Sequence, residues 1–271
     1  TGTIISEIAD AFPGRFTILP RPKNLGPTKN YQDMIRHASG DYIAHVDGDD
    51  YWMPNKLAAQ LEHLHKNPEC VATYSNAHII DEAGQMIGIF NNPQPELFGT
   101  DYLLRRGNFL NHSSLLYRAE LKGAITGLPG DFIDYRIHLR LSLHGKLGYL
   151  NQDLVAYRSG STTSMIKHVP HKVNDLYWQT ITDPEIPQQF EASSTSAQIY
   201  FFAHILYNAV RKSRLPYARH WAARIRSELP EKSTSIFVRS ALLVFPIFWR
   251  SLRRKIATKL SGYDFYPRYE R

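Results

Sequence analysis

The first third of the chain alternates helical stripes of apolar residues with short apolar runs. Spacings of three and four residues predict helices over 4–12, 28–40 and 54–64. Continuous apolar runs between them predict strands over 15–19 and 41–46. This alternation of helix and strand is typical of an α/β domain with a largely buried sheet.

The middle third continues the alternation with more strands. Apolar runs predict strands over 71–80, 86–90, 112–117, 147–150 and 154–157, with a turn at 81–84. Helical spacing recurs over 131–144, where Gly145 is the predicted stop. We expect the α/β body to end near residue 165.

The last third reads differently. Prolines and small polar residues predict that 166–196 is a linker or loop, and the pattern over 197–271 is helical. Residues 1–192 hold 17 Lys and Arg against 21 Asp and Glu, whereas 193–271 hold 15 against 4. The overall charge of +7 therefore resides in the C-terminal helices, which predicts an anionic partner for them.

Composition limits the cellular setting. The single cysteine, Cys70, cannot form an internal disulfide, so a reduced cytoplasm is the simplest setting. The longest unbroken apolar run, 241–249, is far shorter than the roughly 20 residues that span a bilayer, so we expect no membrane crossing. The chain opens without methionine, and we expect that residues upstream of it were lost or left out.

An acidic cluster follows the predicted strand over 41–46. Asp47, Asp49 and Asp50 lie on the loop between this strand and the next helix. Ligands collect at the carboxyl ends of strands in open α/β sheets, and hard carboxylate oxygens suit Mg²⁺ or Mn²⁺ beside phosphate. The alternative is a solvated acidic turn.

The order of motifs around this cluster resembles family 2 glycosyltransferases of the GT-A fold. The resemblance rests on Asn24-x-Gly26, Asn30, Ala38-Ser39-Gly40-Asp41-Tyr42-Ile43, Asp47-Gly48-Asp49-Asp50, Pro54-x-Lys56-Leu57, Asp134-Tyr135-Arg136-Ile137-x-Leu139-Arg140-Leu141, Gly145 and Tyr157-Arg158. It covers residues 1–165. It implies a Rossmann-like mixed sheet flanked by helices, here with a C-terminal helical appendage over 197–271.

The resemblance implies roles for individual residues. Asp47 would hold the nucleoside of a nucleotide-sugar donor, and Asp49, with Asp50, the Mn²⁺ or Mg²⁺ that bridges its diphosphate. Asp134 would be the general base of an inverting transfer to an acceptor hydroxyl. The alternative for Asp134 is a first-turn carboxylate that the helix dipole favours.

Other residues of these motifs are assigned to substrate contacts. Asn24, Asn30 and Arg158 are assigned to the donor side, although Arg158 also fits an ordinary surface charge. His112 and Ser113 are assigned to the acceptor side, and a buried strand explains them equally well.

Three departures separate this chain from the family pattern. The opening strand and its acidic Gly-Ser-Thr turn are absent, with Gly2-Thr3 as their possible remnant. Ile133 stands where an acidic residue often precedes the base, and Gly160 replaces a histidine that often follows Tyr-Arg. His168 or His171 is a candidate to take the place of that histidine. The alternative is that both are ordinary surface histidines.

The apolar run 241–249 is followed by Arg250, Arg253, Arg254, Lys255 and Lys259. This pairing is typical of a helix in the membrane interface, and the alternative is a helix docked on the protein's own surface or on a partner subunit. We therefore expect a peripheral protein at the cytoplasmic face of the membrane.

The leading functional prediction is sugar transfer to a lipid-linked or polysaccharide acceptor in surface-glycan synthesis. One alternative is a metal-dependent nucleotidyltransferase, for which no Gly-rich phosphate loop is visible. The other is a non-catalytic transferase or a basic binding module. We expect no nucleic-acid partner.

Overall fold

The computed structural model describes residues 2–159, 170–261 and 264–265. Its helices are α1 (Gly2–Ala11), α2 (Pro27–His37), α3 (Lys56–Lys66), α4 (Thr100–Arg106), α5 (Lys122–Thr126), α6 (Asp134–Ser142), α7 (Pro170–Ile181), α8 (Glu191–Arg211), α9 (Leu215–Glu228) and α10 (Pro230–Ser261). Its strands are β1 (Tyr42–Ala44), β2 (Tyr51–Trp52), β3 (Cys70–Ile80), β4 (Met86–Ile89), β5 (Leu97–Phe98), β6 (Leu116–Arg118), β7 (Lys146–Arg158) and β8 (Asp264–Phe265). A mixed sheet flanked by helices, with a helical C-terminal part, confirms the predicted fold class.

The long strand β3 organises the sheet. It pairs in parallel with β7 along its whole length, and antiparallel with β6 and then β4. β1 extends the sheet beyond β6, and β2 and β5 pair with the free edge of β7. This arrangement brings the end of β1, where the acidic cluster begins, close to the end of β7.

One predicted strand is absent from the structure and another is shorter than predicted. Residues 15–19 form no strand, and Phe16 and Ile18 are exposed, because none of the described strands pairs with this segment. Residues 112–114 form a 3₁₀ turn, and only 116–118 are a strand. The Ser114 hydroxyl donates to the Asn111 carbonyl at 2.7 Å, and such local bonds compete with strand pairing.

The two short strands predicted over 147–150 and 154–157 are one continuous strand, β7. Ser75 of β3 faces Leu150, but the next residue, Asn76, faces Asp153. The additional residues in β7 form a bulge that interrupts the apolar pattern while the pairing continues. For this reason the apolar pattern of the sequence predicted a gap between two strands where the structure has a bulge within one strand.

Most of the predicted linker over 166–196 is structured. Residues 170–181 form α7, and α8 begins at Glu191. Between them, Asp183 accepts hydrogen bonds from Arg136 and Arg140 of α6, each at 3.1 Å. Prolines and small polar residues thus mark a short, ion-paired connection, and the division of the chain into domains stays a prediction.

The C-terminal helices share one hydrophobic core with the α/β part. Trp178 of α7, Phe201 of α8 and Trp221 of α9 are buried together with Tyr135 and the sheet residues of the same cluster. The rings of Tyr135 and Tyr177 stack at 5.0 Å, and Tyr177 stacks on Phe201 at 5.8 Å. α7, from the predicted linker, therefore packs against α6, and α8, which holds the start of the predicted appendage, packs against α7 and α4.

The last helix, α10, has an unusual distribution of polar and apolar residues. Only Ser233, Ile236, Ser240 and Ile247 are buried in its 32 residues. By length and composition it is long and apolar enough to cross a bilayer, and 17% of its most apolar window is buried. The prediction from the longest unbroken apolar run, 241–249, therefore underestimated the apolar character of this helix.

Candidate active site

A cavity of about 890 Å³ lies between the α/β part and the C-terminal helices. Four of the residues predicted as functional line it: Asn30, Asp47, His112 and Asp134. The other polar and aromatic lining comes from α2, α7, α8, α10, β7 and the loops after β1 and α4, and includes Tyr31, His45, Asn108, Asn111, Tyr157, Asn174, Tyr177, Tyr200, His204, Tyr207, Arg211, Arg250, Ser251 and Arg254. We call this cavity the cleft.

Asp50 fastens the acidic loop to the rest of the site. Its Oδ1 accepts the backbone N–H of Arg158 at 2.8 Å, and its Oδ2 accepts the Ser113 hydroxyl at 2.5 Å. Burial raises the pKa of Asp50 to about 6, although both hydrogen bonds act in the opposite direction. The carboxylate is thus engaged inside the protein.

Ser113 holds the loop from the other side. Its Oγ also accepts the backbone N–H of Asp47 at 3.0 Å, and the residue is buried. Both hydrogen bonds go to the acidic loop, so Ser113 positions this loop in the structure. Its predicted contact with the acceptor stays a prediction.

Asp47 lies at the cleft with its side chain half exposed. Burial alone would raise its pKa, but the hydrogen bond and charge of His45, whose Nε2 lies 2.9 Å from Asp47 Oδ1, lower it below the ordinary value. Asp47 is therefore ionised at neutral pH and oriented by His45. Sequence reasoning missed His45, although it lies two residues before Asp47 in the motif.

The remaining donor-side residues lie in two places: Arg158 contacts the acidic loop, and Asn24 and Asn30 lie together at the start of α2. Arg158 donates to the backbone carbonyls of Asp49, Asp81 and Glu82 at 3.1, 2.8 and 3.0 Å. Asn24 accepts the Gly26 N–H at 2.8 Å and shapes the turn before α2, and Asn30 accepts from Arg21 at 3.3 Å. Arg158 thus clamps the loop, and its contact with a diphosphate stays a prediction.

Asp134 is the first residue of α6 and faces the cleft. Its Oδ1 accepts from Asn108 Nδ2 at 2.8 Å and from the backbone N–H of Tyr135 at 2.9 Å. These bonds fix the carboxylate at the N-terminus of α6. Asn108 carries no recognisable signal in the sequence, since only the fold brings it to Asp134.

A group of fully and partly buried rings lies near the two carboxylates. His112 lies 4.3 Å from His45, 5.2 Å from Tyr31 and 5.4 Å from His138 between ring centroids. Burial lowers the pKa of His112 well below its ordinary value and that of His138 to about 3, and the neighbouring imidazole charges act in the same direction. Both histidines are therefore neutral at pH 7.

The chemistry of the loop fits a divalent cation only in part. Among the described residues, no three His, Cys, Asp or Glu side chains are grouped to hold a metal ion. Asp49 is exposed and offers hard oxygens, whereas Asp50 is engaged internally. His168 lies outside the described residues, and the ring of His171 lies edge-on to Tyr217 at 4.6 Å.

Residues 1–122 match the family model Glycosyl transferase family 2. An uncharacterized protein of Mycobacterium tuberculosis is 30% identical over 188 residues, which are 66% of this chain and 52% of that protein. A UDP-Glc:alpha-D-GlcNAc-diphosphoundecaprenol beta-1,3-glucosyltransferase of Escherichia coli is 30% identical over 88 residues, 32% of this chain and 34% of that enzyme. The chain therefore spans about half the length of the first relative and a third of the second.

Solved structures of S. aureus TarS show the same fold. One matches with a TM-score of 0.60 and 14% identity over 87% of this chain and 70% of TarS residues 1–349. A second, in complex with UDP-GlcNAc, matches with a TM-score of 0.50 and 10% identity over 96% and 80%. The family match assigns residues 1–122 to glycosyltransferase family 2, and the likeness to TarS shows that the chain has a GT-A-like fold.

Proposed function

We propose that this chain transfers a sugar from a nucleotide-sugar donor to a hydroxyl of a lipid-linked or polysaccharide acceptor, with inversion at the anomeric carbon. One observation carries the proposal: Asp47, on the donor-side loop, and Asp134, at the start of α6, line the same cleft. The family membership and the TarS complex with UDP-GlcNAc support a nucleotide-sugar donor. The E. coli glucosyltransferase supports a lipid-linked acceptor.

The chemistry follows from the placement of Asp134. Its carboxylate accepts the proton of the acceptor hydroxyl while that oxygen forms a bond to the anomeric carbon. The bond from this carbon to the diphosphate breaks, and the electron pair leaves with the nucleoside diphosphate. Asn108 and the Tyr135 N–H hold one carboxylate oxygen and thereby orient the base.

The proposal includes a divalent cation, Mn²⁺ or Mg²⁺, held by Asp49 and by the donor's own phosphate oxygens. Asp50 would contribute only after giving up one of its internal hydrogen bonds. When bound, the cation offsets the negative charge of the departing diphosphate. Ser113 and Arg158 hold the loop through their hydrogen bonds to it.

We also propose that α10 lies in the interface of the membrane at its cytoplasmic face, where nucleotide sugars are made. Its exposed apolar residues form one stripe at helical spacing: Val238, Leu242, Phe245, Trp249, Leu252, Ile256 and Leu260. The exposed cations Arg253, Lys255 and Lys259 lie close to this stripe. Because α8 packs on the other face of α10, only one face is open to lipid.

Replacing the base tests the enzymatic proposal. Asp134→Asn keeps the shape of the side chain but removes its basicity, so transfer of radiolabelled sugar into membranes of the source organism should fall about 10²- to 10⁴-fold. Binding of the donor should be unchanged. Asp131→Asn is the matched control, because Asp131 is exposed and pairs with Lys172 at 2.5 Å. Full transfer by Asp134→Asn would refute this assignment.

A further inference from the structure

The helical wall of the cleft carries three arginines. Arg211 is the last residue of α8, and Arg250 and Arg254 lie one turn apart on α10. All three line the cleft that contains Asp47 and Asp134. Sequence reasoning assigned the cations of this helix to the membrane surface, yet these two α10 arginines face the cleft.

The orientation of α10 makes this wall unusual. Arg250, Ser251 and Arg254 are half-buried against the cleft, whereas Phe248 and Trp249 on the same turns are half exposed. A helix on a water-soluble protein normally buries its apolar face and exposes its cations. A polar face toward the cleft therefore indicates a polar function there.

Neighbouring groups hold this wall in place. The Tyr207 hydroxyl of α8 donates to Ser251 Oγ of α10 at 2.9 Å. The Arg211 guanidinium lies 5.8 Å from the centroid of the Tyr207 ring. The link between the two helices keeps Arg211 on the same wall as Arg250 and Arg254. Such an arrangement suits an anion with several oxygens, because guanidinium groups bind phosphate through paired hydrogen bonds.

We propose that Arg211, Arg250 and Arg254 bind a phosphate or diphosphate group on the acceptor, which rests on the proposed glycosyl transfer. The donor diphosphate is assigned to the acidic loop, which belongs to the α/β part of the chain. An acceptor phosphate bound at the helical wall presents its attached sugar toward Asp134. The acceptor is therefore a phosphate-bearing glycan or a sugar linked to a lipid by phosphate, and a neutral glycan fits less well.

The outer face of α10 favours the lipid-linked source. The apolar stripe from Val238 to Leu260 and the arginines at the cleft belong to the same helix. If the stripe enters the membrane interface, the arginines lie near the depth of the lipid headgroups. A phosphate that joins a sugar to a lipid is found at that depth.

Calorimetry on the full chain, without divalent cation, tests the subsite. The probes are farnesyl diphosphate, inorganic pyrophosphate and farnesol. The wild-type protein should bind the two phosphates and not farnesol. Arg250→Gln with Arg254→Gln should weaken binding about 100-fold, since each hydrogen bond to a charged group is worth roughly a factor of ten. The matched control, Arg253→Gln with Lys255→Gln, removes the same charge from the exposed face and should bind like the wild type.

Two further variants separate the possible results. Arg250→Lys with Arg254→Lys keeps the charges and should retain part of the binding, which tests the site even if the glutamine variant is less stable. Asp49→Ala should leave farnesyl diphosphate binding intact, so this subsite can be confirmed even if the donor assignment fails. Tighter binding of farnesyl diphosphate than of pyrophosphate would indicate a lipid-linked acceptor, and equal binding a phosphate-bearing glycan. The proposal would be overturned if Arg250→Gln with Arg254→Gln weakened binding no more than Arg253→Gln with Lys255→Gln does, or did not weaken it at all.

Discussion

At the scale of single residues, the buried Lys56 supports the acidic loop indirectly, through the residues that it contacts. Lys56 is 1% exposed, its Nζ donates to Gln60 at 2.7 Å, and it lies 4.4 Å from the centroid of the Trp52 ring. Gln60 in turn donates to the Ser114 carbonyl, and Trp52 to the Ser113 carbonyl, each at 2.8 Å. The loop that carries Asp47 and Asp50 therefore rests on Lys56 through Ser113.

Burial lowers the pKa of Lys56 from 10.5 to about 7, which makes stability depend on pH. Between these values the unfolded chain binds a proton that the folded chain does not. The free energy of unfolding should then rise with pH above about 7, by up to ~1.4 kcal/mol per pH unit. Urea unfolding of wild type and Lys56→Met across pH 7 to 9 measures this contribution, which the variant should lose.

Lys66→Met is the control for this measurement. Lys66 is exposed on the same helix and pairs with Glu62, so its removal should preserve the dependence on pH. Identical slopes in wild type and Lys56→Met would contradict the assignment to Lys56.

The sequence indicated the carboxylates of the site but not the residues that orient them. Asp47 and Asp134 were recognisable as candidates because each lies in a short motif of neighbouring residues. Asn108 and His45 act through contacts with these carboxylates, at 2.8 and 2.9 Å, that depend on the fold. Ser113 was expected beside the acceptor, and the structure shows it hydrogen-bonded to the acidic loop.

At the scale of elements, α10 combines a face toward the cleft with a face toward solvent. Its exposed Leu242, Phe245 and Trp249 are 71%, 72% and 51% exposed. Apolar area of this size on an external face is costly in water and favours transfer into a membrane interface.

Replacing this stripe tests membrane binding. Leu242→Gln, Phe245→Gln and Trp249→Gln together should lower flotation with phosphatidylglycerol-containing vesicles at least about tenfold, because each apolar side chain contributes roughly 1.5–3 kcal/mol when buried. The control changes the exposed Ile4 and Ile8 of α1, and the exposed Phe12 directly after it, to Gln and should float like the wild type. Unchanged flotation of the α10 variant would reject the membrane assignment.

Helices and strands were predictable where the apolar spacing in the sequence matches the packing or the strand pairing in the structure. The helices over 197–212 and 216–229 correspond to α8 and α9, and the strand over 71–80 to β3. The strand predicted over 15–19 is wrong, because a strand needs a partner and none of the described strands pairs with it. The bulge in β7 could not be read from the pattern, since it depends on the register with β3.

At the scale of the whole molecule, the cleft is made by two parts of the chain that the sequence treats separately. The α/β part supplies Asp47 and Asp134, and the C-terminal helices supply Arg211, Arg250 and Arg254. Packing of Tyr135 on Tyr177 and of Tyr177 on Phe201 joins the two parts. A composition-based division into body and tail could not show this, because the closure of the cleft depends on packing between distant segments.

Binding of UDP, GDP and dTDP by calorimetry, with and without Mn²⁺, tests most directly whether this cleft is a glycosyltransferase site. We expect one of these nucleotides to bind in the presence of Mn²⁺, and Asp49→Ala to abolish that binding. Glu62→Ala, which removes an exposed carboxylate from α3, should bind like the wild type. Binding that is unchanged in Asp49→Ala, or no nucleotide binding by the folded protein with Mn²⁺, would contradict the account.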